Sequence, residues 1–167
     1  MQIKTTLWDI ELAVVKWFNP RTHIIVPNIS WGMNVHECDL FIVTKNQYAY
    51  EVEIKTSKAD LVKDKEKKHK HKSRKINKLY FAIPEYLLDS QEHIPEHAGI
   101  LSISCDKYGW HCKEARKAKT NYNYQYSDKE LLNLIRLSSM RIWNLKKMIQ
   151  DQGWKTIPRY SQANMRI

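Results

Sequence analysis

Asp39, Glu53 and Lys55 carry side chains able to do chemistry together, because a hairpin between them would bring all three to one place. The stretch V-H-E-C-D-L-F-I-V, a short polar connection at Lys45-Asn46-Gln47, and Y-A-Y-E-V-E-I-K read as two antiparallel strands between Val35 and Lys55. Side chains alternate faces along a strand, so Glu51, Glu53 and Lys55 share one side of theirs. Pairing Thr44 with Tyr48 then sets Asp39 opposite Glu53 with both carboxylates on the same face. Like charges opposed across a ladder destabilise it. Between apolar stretches they ask for a cation or a shared proton. A divalent metal is one solution, with Lys55 beside it. A solvated strand face carrying scattered charges is the alternative.

Two further acids bear on this pair. Glu11 falls on the apolar stripe Leu7, Val14, Phe18 of an amphipathic helix expected over residues 6–18, capped by Thr5 or Thr6. A carboxylate facing a core must be paired, protonated or metal-bound, unless it snorkels to solvent. Glu51 would replace Glu53 if the register were shifted.

Asp39, thirteen residues, then Glu53-Ile54-Lys55, followed by T-S-K-A-D-L and later L-Y-F-A-I-P-E, resembles the PD-(D/E)xK nuclease superfamily. Within it, the pattern looks like the MmcB-like DNA repair branch, over roughly residues 5–104. Cys38 stands where the first motif would carry Pro. The resemblance implies an α/β fold with a restriction-endonuclease-like core: a central mixed sheet of four to five strands flanked by helices, here followed by a long C-terminal helix. It also implies Asp39 and Glu53 as metal ligands with the backbone carbonyl of Ile54 as a third. Lys55 would position the attacking water and stabilise developing charge, and Glu11 would reach the site from the first helix.

Phosphodiester hydrolysis needs an activated water and charge neutralisation at the phosphate, which a carboxylate-held Mg²⁺ supplies, with Mn²⁺ able to substitute. The implied activity is that of a Mg²⁺-dependent DNA nuclease, an endonuclease by expectation, in repair, recombination or phage DNA processing. The rival is a DNA-binding module of the same fold with weak or lost catalysis. Cutting both strands would require two sites, so a homodimer is a natural partner state.

The chain's charge agrees with such a partner. Lys and Arg outnumber Asp and Glu by 28 to 18, for a net charge of +10. Residues 63–78 alone hold nine Lys or Arg against two acids. Read as a helix from about residue 58, this segment sets Lys58, Lys65, Lys68 and Lys72 on one face as phosphate contacts, with Arg74 and Lys75 beyond them. A polar helix kept for solubility is the alternative. Tyr122, Tyr124 and Tyr126 alternate behind a basic cluster and would either stack on unpaired bases or pack on their own domain.

A chain of 167 residues, 43% apolar, suits one domain over 1–167, with a core over about 5–115 and a C-terminal helix and tail over about 127–167. No apolar run is long enough to span a bilayer, so no membrane partner is expected. Three cysteines without framework spacing, and no signal-peptide pattern, suggest the cytoplasm. His69 and His71 alternate with lysines whose charge would repel a metal. The remaining elements are a Pro27-interrupted strand over 23–30, a strand over 78–84, and a hairpin over 100–113. Last comes a helix from Ser127 to about Gln152, burying Leu131, Ile135, Ile142, Leu145 and Ile149 and stopped by Gly153.

Overall fold

The structure is a computed structural model that describes residues 5–29, 31–64 and 71–152. Six strands form one mixed sheet in the order β1 (Ile24–Ile29), β2 (Cys38–Val43), β3 (Ala49–Ile54), β4 (Lys78–Pro84), β5 (Gly99–Asp106), β6 (Gly109–Arg116). β1–β2, β2–β3 and β5–β6 are antiparallel, whereas β3–β4 and β4–β5 are parallel. The expectation of four to five strands is thus too small. Both the Pro27 strand and the full second hairpin join the sheet as its two ends, and Pro27 is tolerated because β1 is an edge.

Each parallel step needs a crossover. The first carries α2 (Lys58–Asp64) and the second a 3-10 segment (Glu85–His93). Both lie on one face, where Leu61 and Leu87 pack with Leu79, Phe81, Ile83 and Ile100. The opposite face is covered by α1 (Leu7–Phe18), whose Ile10, Ala13, Val14 and Phe18 pack on Leu40, Ile42, Val52, Ile54, Tyr80 and Ala82. Thr6 caps α1 in a reciprocal capping box with Asp9. Leu7 is off the buried stripe and 50% exposed, because the helix meets the sheet one turn later, at Ile10.

His71 adopts a left-handed backbone (φ 52°), so no continuous helix from Lys58 reaches Lys72 and the two cannot share a helical face. The continuous basic helix expected over this run is therefore absent from the described residues; Lys65 and Lys68 lie outside them.

α3 (Asp128–Asp151) begins at the Ser127–Glu130 capping box. It buries Leu134 and Leu137 against Val26, Ile29, Phe41 and Tyr126 on the α2 side of the sheet. The stripe expected to be buried is so only in part: Leu131 packs half-buried against this cluster and Ile149 is half-buried, whereas Ile135, Ile142 and Leu145 are 50%, 55% and 57% exposed. At 24 residues α3 runs about 36 Å, and only its first turns cross β1. Gly153 lies outside the described residues. Tyr126 is wholly buried, its ring edge-on to Phe41, and the Tyr124 phenol donates to Glu130 Oε1 at 2.7 Å. The tyrosines therefore serve packing, with only Tyr122 substantially exposed.

Lys75 also turns inward, donating to the same Glu130 oxygen at 2.7 Å and lying over the rings of Tyr124 and Tyr126. That engagement removes it from the expected phosphate contacts. Partial burial works against ionisation of Glu130, but Lys75, the Ser127 backbone N–H and hydroxyl, and the Tyr124 phenol outweigh it and lower its pKa to about 2. A depressed carboxylate stabilises the fold fully above its ordinary pKa and loses that contribution as pH falls toward the folded value. Glu130→Gln should therefore cost about 1–2 kcal/mol at pH 7, since cap and ion pair are both partly screened by water. The gap in stability from the natural chain should close between about pH 5 and pH 2. Thermal melts of both proteins across that range would check it, and a gap independent of pH would refute the assignment.

Candidate functional site

The two apolar clusters on the α2 side of the sheet are separated by acids. Phe41 pairs with Glu51 and Glu51 with Leu79, while Glu53 pairs with Phe81. The register that sets Leu40 opposite Val52 carries Asp39 opposite Glu53. Glu51 is 0% exposed and Glu53 1%, so neither charge is solvated. Burial on this scale requires partners.

Asp39 accepts the Ile54 backbone N–H at 2.7 Å, which ties the start of β2 to the end of β3. One residue on, the Lys55 N–H donates to Ala82 O at 3.0 Å, holding the chain against β4 as it leaves β3. The buried Lys55 ammonium lies 2.8 Å from Glu53 Oε2 and 2.8 Å from Asp64 Oδ1. Asp64, the last residue of α2, thus anchors Lys55 from the far side. Asp39, Glu53, Ile54 and Lys55 open onto one cleft of about 310 Å³, whose rim adds Asp60, Lys63 and Asp64. The donors it offers a cation are oxygens, a set suited to a hard ion such as Mg²⁺.

Glu11, on α1, is half-buried and is not among the residues that line the cleft. Burial raises its pKa, and the nearby Asp39 charge raises it further. Glu51 is not among the residues that line the cleft. Its Oε1 meets His36 Nε2 at 2.8 Å and His71 Nδ1 at 2.7 Å, while His71 Nε2 reaches Asp64 Oδ2 at 2.6 Å. Burial disfavours a charged His71 ring, but hydrogen bonds to Asp64 and Glu51 push its pKa up to about 9. Burial likewise opposes ionisation of Asp64, yet hydrogen bonds from His71 and Lys55 hold it well below the carboxylate range. Glu51 is lowered too, the two histidines prevailing over its burial.

His71 does not touch solvent beside its lysine neighbours, as its place in the sequence suggests; it is buried between carboxylates. Asp64, His71 and His36 are the parts of this network that sequence reasoning misses. The available signal is Glu51 itself, an acid between two apolar strand positions that must find cations somewhere. Of the residues expected to meet phosphate, Lys58 is largely exposed with its ammonium 3.8 Å from Glu92, and Lys72 and Arg74 are exposed. Lys63 stands on the cleft rim.

Among the described residues, no helix is long and apolar enough to cross a membrane. No protein-family model matches the chain, and no curated protein matches it. A solved structure with a similar fold is a protein of unknown function from Silicibacter pomeroyi, with a TM-score of 0.59 and 15% identity over 95% of this chain and 99% of that one. At that identity the likeness establishes the fold alone: a mixed α/β sheet flanked by helices, with a C-terminal helix.

Proposed function

We propose that the chain is a Mg²⁺-dependent DNA nuclease built on a restriction-endonuclease-like core, acting in repair, recombination or phage DNA processing. One observation carries the reading: Asp39 and Glu53 from neighbouring strands, Ile54 and an anchored lysine line a single cleft. Asp39, Glu53 and the Ile54 carbonyl would hold the ion, which when bound supplies neutralisation at the phosphate and a water of lowered pKa. Lys55 presents a cation whose position is set by Asp64 rather than by solvent, as electrostatic stabilisation of a transition state requires. Glu11, half-buried on α1 within electrostatic reach of Asp39, would assist from outside the lining of the cleft. Lys63, Lys58, Lys72 and Arg74 supply exposed positive charge for a polyanion.

The test is incubation of the purified protein with linear, nicked and branched DNA in Mg²⁺, Mn²⁺ or EDTA. Metal-dependent cleavage of at least one substrate is expected. Binding without cleavage of any would favour the module that only binds DNA.

The partner state fits a second copy. α3 leaves Ile135, Ile142 and Leu145 exposed, in a series with the half-buried Leu131, Ser138 and Ile149 that is spaced alternately by four and three. That is a heptad seam with Ile at its a positions and Leu at two of three d positions, the choice that favours two strands. The stripe is self-complementary, as a two-fold interface must be. Sedimentation should give a dimer at high concentration and a folded monomer for Ile142→Lys with Leu145→Lys. A natural chain that stays monomeric would refute this.

A further inference from the structure

We propose that His36, Glu51 and His71 form a second cation site, specific for a borderline transition-metal dication of the zinc class and separate from the all-oxygen cleft. His36 Nε2 and His71 Nδ1 converge on one Glu51 oxygen at 2.8 and 2.7 Å, and the three ligand atoms lie within 4.8 Å of one another. Two imidazoles and a carboxylate are a donor set that zinc-class ions take readily, whereas Mg²⁺ strongly prefers oxygen.

Two features point to an ion rather than to a simple hydrogen-bonded cluster. Glu51 is fully buried, and its second oxygen, Oε2, has no hydrogen-bond partner. Two histidine donors directed at Oε1 leave that oxygen unserved, while a cation between the rings and the carboxylate can engage it. The second feature is the far side of His71. Its Nε2 is held by Asp64 at 2.6 Å, the carboxylate–histidine arrangement that fixes ring orientation in metal centres. Binding at Nδ1 would release that nitrogen's proton to solvent and leave the Nε2–H donating to Asp64.

Such an ion would clamp β3 to the 31–37 loop and to the turn at His71. The inference does not depend on nuclease activity, because its readouts are spectroscopic and thermal.

The probe is Co²⁺ added to the full chain with Mg²⁺ in large excess. One equivalent should bind and give visible d–d absorption that Zn²⁺ abolishes on displacement. His36→Gln, folded by circular dichroism, should weaken Co²⁺ binding about 10- to 100-fold. Asp39→Asn, in the cleft, should leave the spectrum unchanged, as should Cys112→Ser. A hundredfold excess of Zn²⁺ over its Kd should raise the melting temperature of the natural chain by roughly 5–10 °C and that of His36→Gln little. If the variant fails to fold, ring resonances of His36 and His71 in the natural chain still decide, since Zn²⁺ must shift both. Absence of a Co²⁺ spectrum, a spectrum unaffected by His36→Gln, or unmoved His36 and His71 resonances would each overturn the site.

Discussion

The Glu53→Gln protein should fold, bind DNA within severalfold of the natural chain, and cut it at least ~10³-fold more slowly. The amide fills the volume of the carboxylate, so packing against Phe81 survives, but a charged ligand is lost from the cleft. Lys55 keeps its second carboxylate, Asp64, at 2.8 Å and is not stranded. Affinity changes little because phosphate contacts elsewhere dominate binding. Lys55→Ala should lose activity as fully, yet it is the less clean experiment. It removes the ammonium that Glu53 and Asp64 share in a buried setting, which should cost about 3–5 kcal/mol of stability. The distinction is checkable: thermal melts should separate the two variants while cleavage assays do not. A Glu53→Gln enzyme cutting at the natural rate would remove Glu53 from the site.

That asymmetry was open only in part to sequence reasoning. The hairpin was legible because its alternation is strict and its connection short. The Thr44–Tyr48 closure is as expected, although Gln47 rather than Asn46 takes the left-handed backbone (φ 64°). What Glu51, Glu53 and Lys55 pair with was not legible. Asp64 and His71 sit within a run of lysines where an acid or a histidine reads as one more solvated group. Only tertiary folding turns them inward. α3 teaches the complementary lesson. Its apolar period is plainly written, but a period does not say which surface will cover it, and here the sheet ends before the helix does. Likewise the alternation of Tyr124 and Tyr126 marks a strand-like segment without saying that the core, and not a base, receives the rings.

The metal dependence of stability gives the second large effect. Asp39 and Glu53 are brought together by the backbone: one bonds the Ile54 N–H, the other is held one residue earlier in the same strand. The register therefore holds the two carboxylates opposite each other, and they cannot separate by moving the strands apart. A divalent ion that binds the folded cleft and not the unfolded chain should stabilise the fold by mass action, about 2.7 kcal/mol at a hundredfold excess over Kd. Mg²⁺, Mn²⁺ and Ca²⁺ should all raise the melting temperature, since all accept oxygen ligands. Only Mg²⁺ and Mn²⁺ should support efficient cutting, because Ca²⁺ takes a larger and looser coordination shell that holds a water poorly for attack. Ca²⁺ should thus give a protein that is stabilised and DNA-bound but nearly inactive. Asp39→Asn should erase most of the thermal shift from every one of these ions, while the Co²⁺ response at His36, Glu51 and His71 persists. Calorimetry detecting no Mg²⁺, Mn²⁺ or Ca²⁺ binding to either the free or the DNA-bound protein would sink the nuclease reading. A cleft that needs no ion would hold its carboxylates with Lys55, the Ile54 N–H and His71, and the chain would be a protein that holds DNA without cutting it.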